Sequence, residues 1–137
     1  MRINVLGVGF DNMTMGEAVD RGMELLHSPG THYVVTPNPE IVEICRENLA
    51  ARQAVNAADL VLPDGIGVVK GAGMLGTPLK EKVPGIEFAA GLMERMAAEG
   101  LSLYLLGAKP GVAEAAGKRL AAKYPGLKIA GTHDGYF

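Results

Sequence analysis

At 137 residues the chain has the length of one compact domain, and with 48% apolar residues it can build a core, which excludes wholesale disorder. A net charge of -2, from 13 basic and 15 acidic residues, excludes a basic nucleic-acid face, and 5% aromatics without Trp leave little for base stacking. The apolar runs fall far short of the roughly 20 residues of a membrane span, Met1 to Leu6 lacks the features of a signal peptide, and the lone Cys45 suits a reducing cytosol.

Short β-branched or Leu-rich runs alternate with longer segments of helical period, which predicts α/β units around a mostly parallel, Rossmann-like sheet flanked by helices. Ile3 to Val8 reads as the first strand. Thr14-Met15-Gly16-Glu17 has the form of a capping box, so a helix should start there and run to about Leu26, before Ser28-Pro29-Gly30. Tyr33 to Thr36 reads as the second strand. Asn38 then Pro39 is a cap followed by proline at the first helical position. That helix carries Ile41, Val42, Ile44 and Cys45 and resumes around Ala51 to Ala57. Cys45, with no neighbouring base, is best read as a buried structural thiol.

Leu60-Val61-Leu62 is a short buried strand ended by Pro63-Asp64-Gly65, and a helix over Gly67 to Leu75 follows. Thr77 to Pro84 is a loop. Ile86, Phe88, Ala89, Leu92, Met93 and Met96 mark the apolar face of the next helix. Leu103 to Leu106 is the clearest strand. After the turn Gly107-Ala108-Lys109-Pro110-Gly111, a helix takes its stripe from Val112, Ala115, Ala116, Leu120 and Tyr124. Pro125-Gly126 ends it, and Lys128 to Gly131 begins a fifth strand, an edge that needs cover. The seven methionines, mostly at helical spacing, read as core filler.

Ligands of open α/β sheets collect at the carboxyl ends of strands, and four post-strand turns carry suitable residues. Gly7-Val8-Gly9-Phe10-Asp11-Asn12 starts like a dinucleotide fingerprint, but Asn12 stands where the third glycine belongs, which favours a tight turn. In Thr36-Pro37-Asn38-Pro39-Glu40, helix capping explains Asn38, Pro39 and Glu40. A Thr hydroxyl and an amide stiffened between prolines equally suit a sugar. Asp64, beside flexible Gly65, either caps the next helix or serves as the base that glycosyl transfer requires. Gly107 to Gly111 offers free N–H groups at a helix start, with Lys109 adding charge, and suits a diphosphate as well as an ordinary turn. No D-x-D occurs, and His27, His32 and His133 lack zinc-like spacing, so no metal or other cofactor is expected.

Thr36-Pro37-Asn38-Pro39-Glu40 followed by Pro63-Asp64-Gly65-Ile66-Gly67-Val68-Val69 resembles the WecG/TagA/CpsF glycosyltransferases of bacterial surface-polymer synthesis. Leu75 to Leu79, Glu81-Lys82-Val83-Pro84-Gly85, Leu105 to Gly111, Tyr124 to Leu127 and Gly135-Tyr136-Phe137 match in register, so the resemblance spans 1–137 as one glycosyltransferase core domain. It is closest to the TagA branch. The resemblance implies inverting, metal-independent transfer of N-acetylmannosamine from a UDP-sugar donor to GlcNAc-diphospho-undecaprenol through a β(1,4) bond, for wall teichoic acid linkage units. It also implies Asp64 as general base, with Thr36, Asn38, Gly65, Lys82 and Tyr136 contacting substrate, and Gly107, Ala108, Lys109 and Gly111 seating the diphosphate.

Members of that family continue past Gly-Tyr-Phe with a further strand, a Gly-x-Pro-x-Gln-Glu motif and, in the TagA branch, a basic appendage. The resemblance therefore implies a C-terminally truncated chain, weak or inactive alone. It further implies a homo-oligomer and a cytoplasmic protein that meets the inner face of the plasma membrane through that missing part. The donor sugar varies within the family. A non-catalytic nucleotide- or metabolite-binding module is the competing expectation, and a dinucleotide oxidoreductase a weaker one.

Overall fold

The computed structural model describes residues 1–137 and divides them into two compact units, Met1–Ala89 and Ala90–Phe137. The first unit opens with a hairpin of β1 (Arg2–Val5) and β2 (Val8–Asp11), antiparallel with Arg2 opposite Asp11 and Val5 opposite Val8. The single strand expected from Ile3 to Val8 is thus broken at Leu6 and Gly7. Both take positive φ, 50° and 97°, as the two central residues of a tight hairpin turn of type I′ must. The Gly7 N–H donates to Asn4 Oδ1 at 3.0 Å, while the Asn56 amide accepts from Gly9 N at 2.9 Å and donates to Gly7 O at 2.9 Å. Gly7-Val8-Gly9 is a hairpin held by an asparagine far along the chain, and the tight-turn reading holds.

Ile3, Val5, Val8 and Phe10 alternate inward along the hairpin, the period of 2 that a half-buried strand imposes. α1 (Met15–His27) follows, with the expected capping box between Thr14 and Glu17. β3 (Val34–Val35), α2 (Pro39–Glu47), α3 (Leu49–Asn56) and β4 (Leu60–Val61) form a crossover whose strands pair in parallel, Val34 beside Leu60 and Val35 beside Val61. Arg2 donates to Asn56 O at 2.7 Å and Ala58 O at 2.6 Å, and Asp11 accepts from Val61 N at 2.8 Å. Those bonds satisfy backbone groups that would otherwise be orphaned beside a two-residue strand. Val42, Cys45, Ala58, Val61, Val68, Ala72 and Leu79 complete the core with the hairpin residues, and Cys45 is fully buried, as a structural thiol should be. α4 (Ile66–Met74) belongs to this unit, and α5 (Gly85–Ala98) begins in it.

In the second unit, β5 (Ser102–Leu106), α6 (Val112–Lys123) and β6 (Lys128–His133) make a parallel β–α–β unit. The register runs from Ser102 beside Lys128 to Leu106 beside His133, with an irregularity between Leu103 and Tyr104. A Cβ on Gly117 of α6 would lie 3.4 to 3.6 Å from Ile129, Thr132 and Leu105, so the helix approaches the strands through a residue without a side chain. This corrects the expected stripe: Gly117 is the buried position, whereas Val112 and Ala115 are exposed. Ile86, expected on the apolar face of α5, is 82% exposed, while Phe88 and Met96 are buried. Of the seven methionines only Met23 and Met96 reach the core, and Met74 is exposed. The mixed α/β character is as expected, with short parallel pairs flanked by helices and one antiparallel hairpin.

Candidate active site

Because β3 and β4 run parallel, the loops that follow them leave the same edge of the pair. Leu62 N donates to Val35 O at 2.9 Å and Asp64 N to Pro37 O at 3.2 Å, so the pairing continues beyond both strands and lays Thr36-Pro37-Asn38 beside Pro63-Asp64-Gly65. Val83 N donates to Pro63 O at 2.7 Å and brings the Thr77–Pro84 loop to the same place. Proline supplies a carbonyl but no N–H, so Pro37 and Pro63 accept these bonds without disturbing the pattern.

Asp64 is half-buried, and its Oδ2 accepts from Gly85 N at 3.1 Å. Gly85 is the first residue of α5, so the carboxylate sits at the positive end of a 14-residue helix. The alternative in which Asp64 caps the helix directly after it does not occur. Gly65, at φ 110°, is the N-cap of α4, and no side chain bonds there. Thr36 closes on the same point, since a Cβ built on Gly85 would lie 2.9 Å from Thr36 Oγ1 and 3.2 Å from its Cγ2. Gly85 ends the matched segment Glu81-Lys82-Val83-Pro84-Gly85, but only the folded chain reveals that it meets Asp64, 21 residues before it.

Asn38 is exposed and caps α2, its Oδ1 accepting from Ile41 N at 2.9 Å. Lys82 is exposed on a loop anchored at both sides. Before it, Lys80 N donates to Asn12 Oδ1 at 2.8 Å, Lys80 Nζ pairs with Glu17 at 3.2 Å, and the Glu81 carboxylate accepts from Met15 N. After it, Val83 is fully buried. The Thr14 N–H, with Lys80 beside it, holds the Glu17 carboxyl below its usual range. The Tyr33 N–H and His32 do the same for Asp59, at the opposite end of the β3–β4 pair from Asp64.

In the second unit, Gly107, Ala108 and Gly111 all take positive φ, at 134°, 64° and 91°. Gly107 N donates to His133 O at 2.9 Å and Gly135 N to Ala108 O at 2.8 Å, which ties the turn after β5 to the turn after β6. Gly111 is the N-cap of α6 and receives no side-chain cap. Lys109 is exposed, its carbonyl accepting from Val112 N at 3.1 Å. Tyr136 is exposed too, its N–H donating to Asp134 Oδ1 at 2.8 Å. Thr36, Asn38, Asp64, Gly65 and Lys82 are therefore residues of the first unit, and Gly107, Ala108, Lys109, Gly111 and Tyr136 residues of the second. No group of three His, Cys, Asp or Glu side chains is placed to hold a metal ion, and no helix is long and apolar enough to cross a membrane.

Residues 3–137 match the model of the Glycosyl transferase WecG/TagA/CpsF family. Among curated proteins, the chain is similar to the N-acetylglucosaminyldiphosphoundecaprenol N-acetyl-beta-D-mannosaminyltransferases of Staphylococcus aureus strains NCTC 8325 / PS 47, COL and MSSA476. It is 35% identical to each over 137 residues, covering 98% of this chain and 54% of the relative. The chain thus spans about half the length of the curated relatives it matches.

Proposed function

Since the chain belongs to the WecG/TagA/CpsF glycosyl transferase family, we propose that it carries the catalytic base of an inverting glycosyltransferase that acts on a diphosphoundecaprenol-linked acceptor. The donor is UDP-N-acetylmannosamine, and the acceptor is the 4-hydroxyl of N-acetylglucosamine on undecaprenyl diphosphate. Asp64 takes the hydroxyl proton as that oxygen attacks the anomeric carbon. The new C–O bond forms on the face opposite the breaking bond to phosphate, and UDP leaves with the electron pair, which gives a β(1,4) product. The observation that carries this reading is the hold on Asp64: Gly85 N–H fixes Oδ2, and Oδ1 has no protein partner. A carboxylate held by one oxygen has the other available for a proton.

Thr36, Asn38, Gly65 and Lys82 contact the sugars in this reading. Gly107, Ala108, Lys109 and Gly111 receive the diphosphate through backbone N–H groups and the Lys109 charge, with Tyr136 contacting substrate as well. Charge compensation by N–H groups and Lys109, rather than by a metal ion, makes the reaction metal-independent. The residues act as one core domain, and the protein works as a homo-oligomer. It sits at the inner face of the bacterial plasma membrane and serves wall teichoic acid linkage-unit synthesis. The relatives' names, which specify a diphosphoundecaprenol acceptor and a mannosaminyl group, support these substrates.

Sugar transfer from UDP-N-acetylmannosamine to a short-chain lipid-diphosphate acceptor, measured in EDTA with a chain extended to the length of the relatives, tests the proposal. Asp64→Asn should lower turnover by about 100-fold or more, within the usual 10²–10⁴ contribution of a general base. Undiminished turnover would remove Asp64 from the chemistry, and absence of transfer in both proteins would favour a module that binds nucleotides without reacting them.

A further inference from the structure

We propose that Gly85 is a positioning residue for Asp64, acting through its backbone N–H and through the side chain it lacks; this rests on the reading of Asp64 as the base. An aspartate three residues beyond a two-residue strand has little of its own to hold it. Its main chain is fixed by Asp64 N–H donating to Pro37 O at 3.2 Å, but its carboxylate has one protein partner, Gly85 N at 3.1 Å. Without that bond the Asp64 side chain can turn about both of its torsions, and the lone pair that must meet the acceptor hydroxyl is no longer aimed.

Glycine is demanded here by contact rather than by φ, since Gly85 is not among the residues of positive φ. A Cβ at Gly85 would meet Thr36 at three atoms, Oγ1 at 2.9 Å, Cγ2 at 3.2 Å and Cβ at 3.3 Å. Thr36 cannot retreat easily, because the next residue is the fully buried Pro37 whose carbonyl holds Asp64. Nor can the start of α5 retreat, because Val83 N is bonded to Pro63 O at 2.7 Å, two residues before Gly85 and one before Asp64. Any side chain at Gly85 therefore moves the N–H away from Asp64 or moves Thr36. The bare Cα lets a helix start, a hydroxyl and a carboxylate share one place.

A double-mutant cycle in the extended protein tests this. Gly85→Ala should lower kcat by about 10- to 100-fold, the size of effect that sub-ångström to ångström misplacement of a reacting group produces, with the donor KM changed far less. In the D64N variant the same Gly85→Ala change should lower the residual kcat less than about twofold, because the group it positions is already gone. Equal losses with and without D64N would overturn the proposal and place the effect of Gly85 on Thr36 or on packing rather than on Asp64. A second measurement separates failure of this inference from failure of the base assignment, and needs only the 137-residue chain. Its Gly85 amide proton resonance should move upfield in D64N, as a bond to a carboxylate becomes one to a neutral amide. A Gly85 resonance unchanged by D64N would overturn the positioning role whatever the activity assays show.

Discussion

Asp59 illustrates how single residues are tuned away from the reacting edge. Its Oδ2 accepts from Tyr33 N at 3.0 Å and its Oδ1 faces His32 Nδ1 at 3.2 Å. The Tyr33 N–H first, and His32 after it, favour the ionised form and lower the carboxyl below its ordinary 3.8. The folded state then binds fewer protons than the unfolded state as the pH passes through this range. The associated stability is present above the ordinary value and is lost as pH falls through the depressed one. Asp59→Asn should accordingly lower Tm most near neutral pH, with the gap to the parent closing on acidification below 3.8; a gap independent of pH would show that the amide fails for another reason. Asp64 differs in kind. Both carboxylates accept a backbone N–H, but Asp59 has a second side-chain partner and Asp64 has none. Residue type alone does not distinguish the two, because the difference lies in partners 26 and 21 residues away.

At the scale of elements, the helix starts were the most legible feature. Thr14 with Glu17, and Asn38 with Pro39, are local chemistries that satisfy orphan N–H groups within one turn, and both occur as expected. The hairpin was half legible, its tight turn expected and its second strand not. Its turn places Leu6 at φ 50°, where residues other than Gly, Asn and Asp are disfavoured, and the amide of Asn56 makes the compensating bonds. Leu6 is half exposed, so little packing opposes its replacement. Leu6→Asn should raise stability by up to about 1 kcal/mol, the scale of the left-handed penalty relieved in an Asn-Gly turn. Chemical denaturation measures it, and an unchanged or lower midpoint would mean that the Leu6 side chain contributes more than its exposure indicates. The helix faces were half legible. Periodicity located Phe88 and Met96 but put Val112 and Ile86 on the inside, because the side of a helix that is covered depends on what packs against it.

Across the whole molecule burial is uneven. The buried apolar residues run from Ile3 to Phe88 in the first unit, with Val8, Phe10 and Val61 wholly enclosed, whereas the second unit contributes Met96 and Leu127. Local opening free energies follow burial and packing density. Native-state hydrogen exchange should therefore find the Phe10 and Leu62 amides among the slowest, and the Lys128 and Gly107 amides, bonded across the β5–β6 pair to Leu101 O and His133 O, exchanging faster by about tenfold or more. Equal protection would show that the two-stranded β5–β6 pair draws stability from something other than its own buried surface.

The sequence by itself determined the α/β alternation, the family through motifs in register, and the chemistry present at each strand end, because these depend on residue type, short spacing and order along the chain. Tertiary structure alone decided that Asp64 answers to the start of α5 rather than of α4. It also decided that the tight turn at Gly7 pairs two antiparallel strands, and that Gly85 must be bare. Each of these rests on a contact between residues far apart in sequence, and such contacts exist only once strands pair and loops are laid side by side.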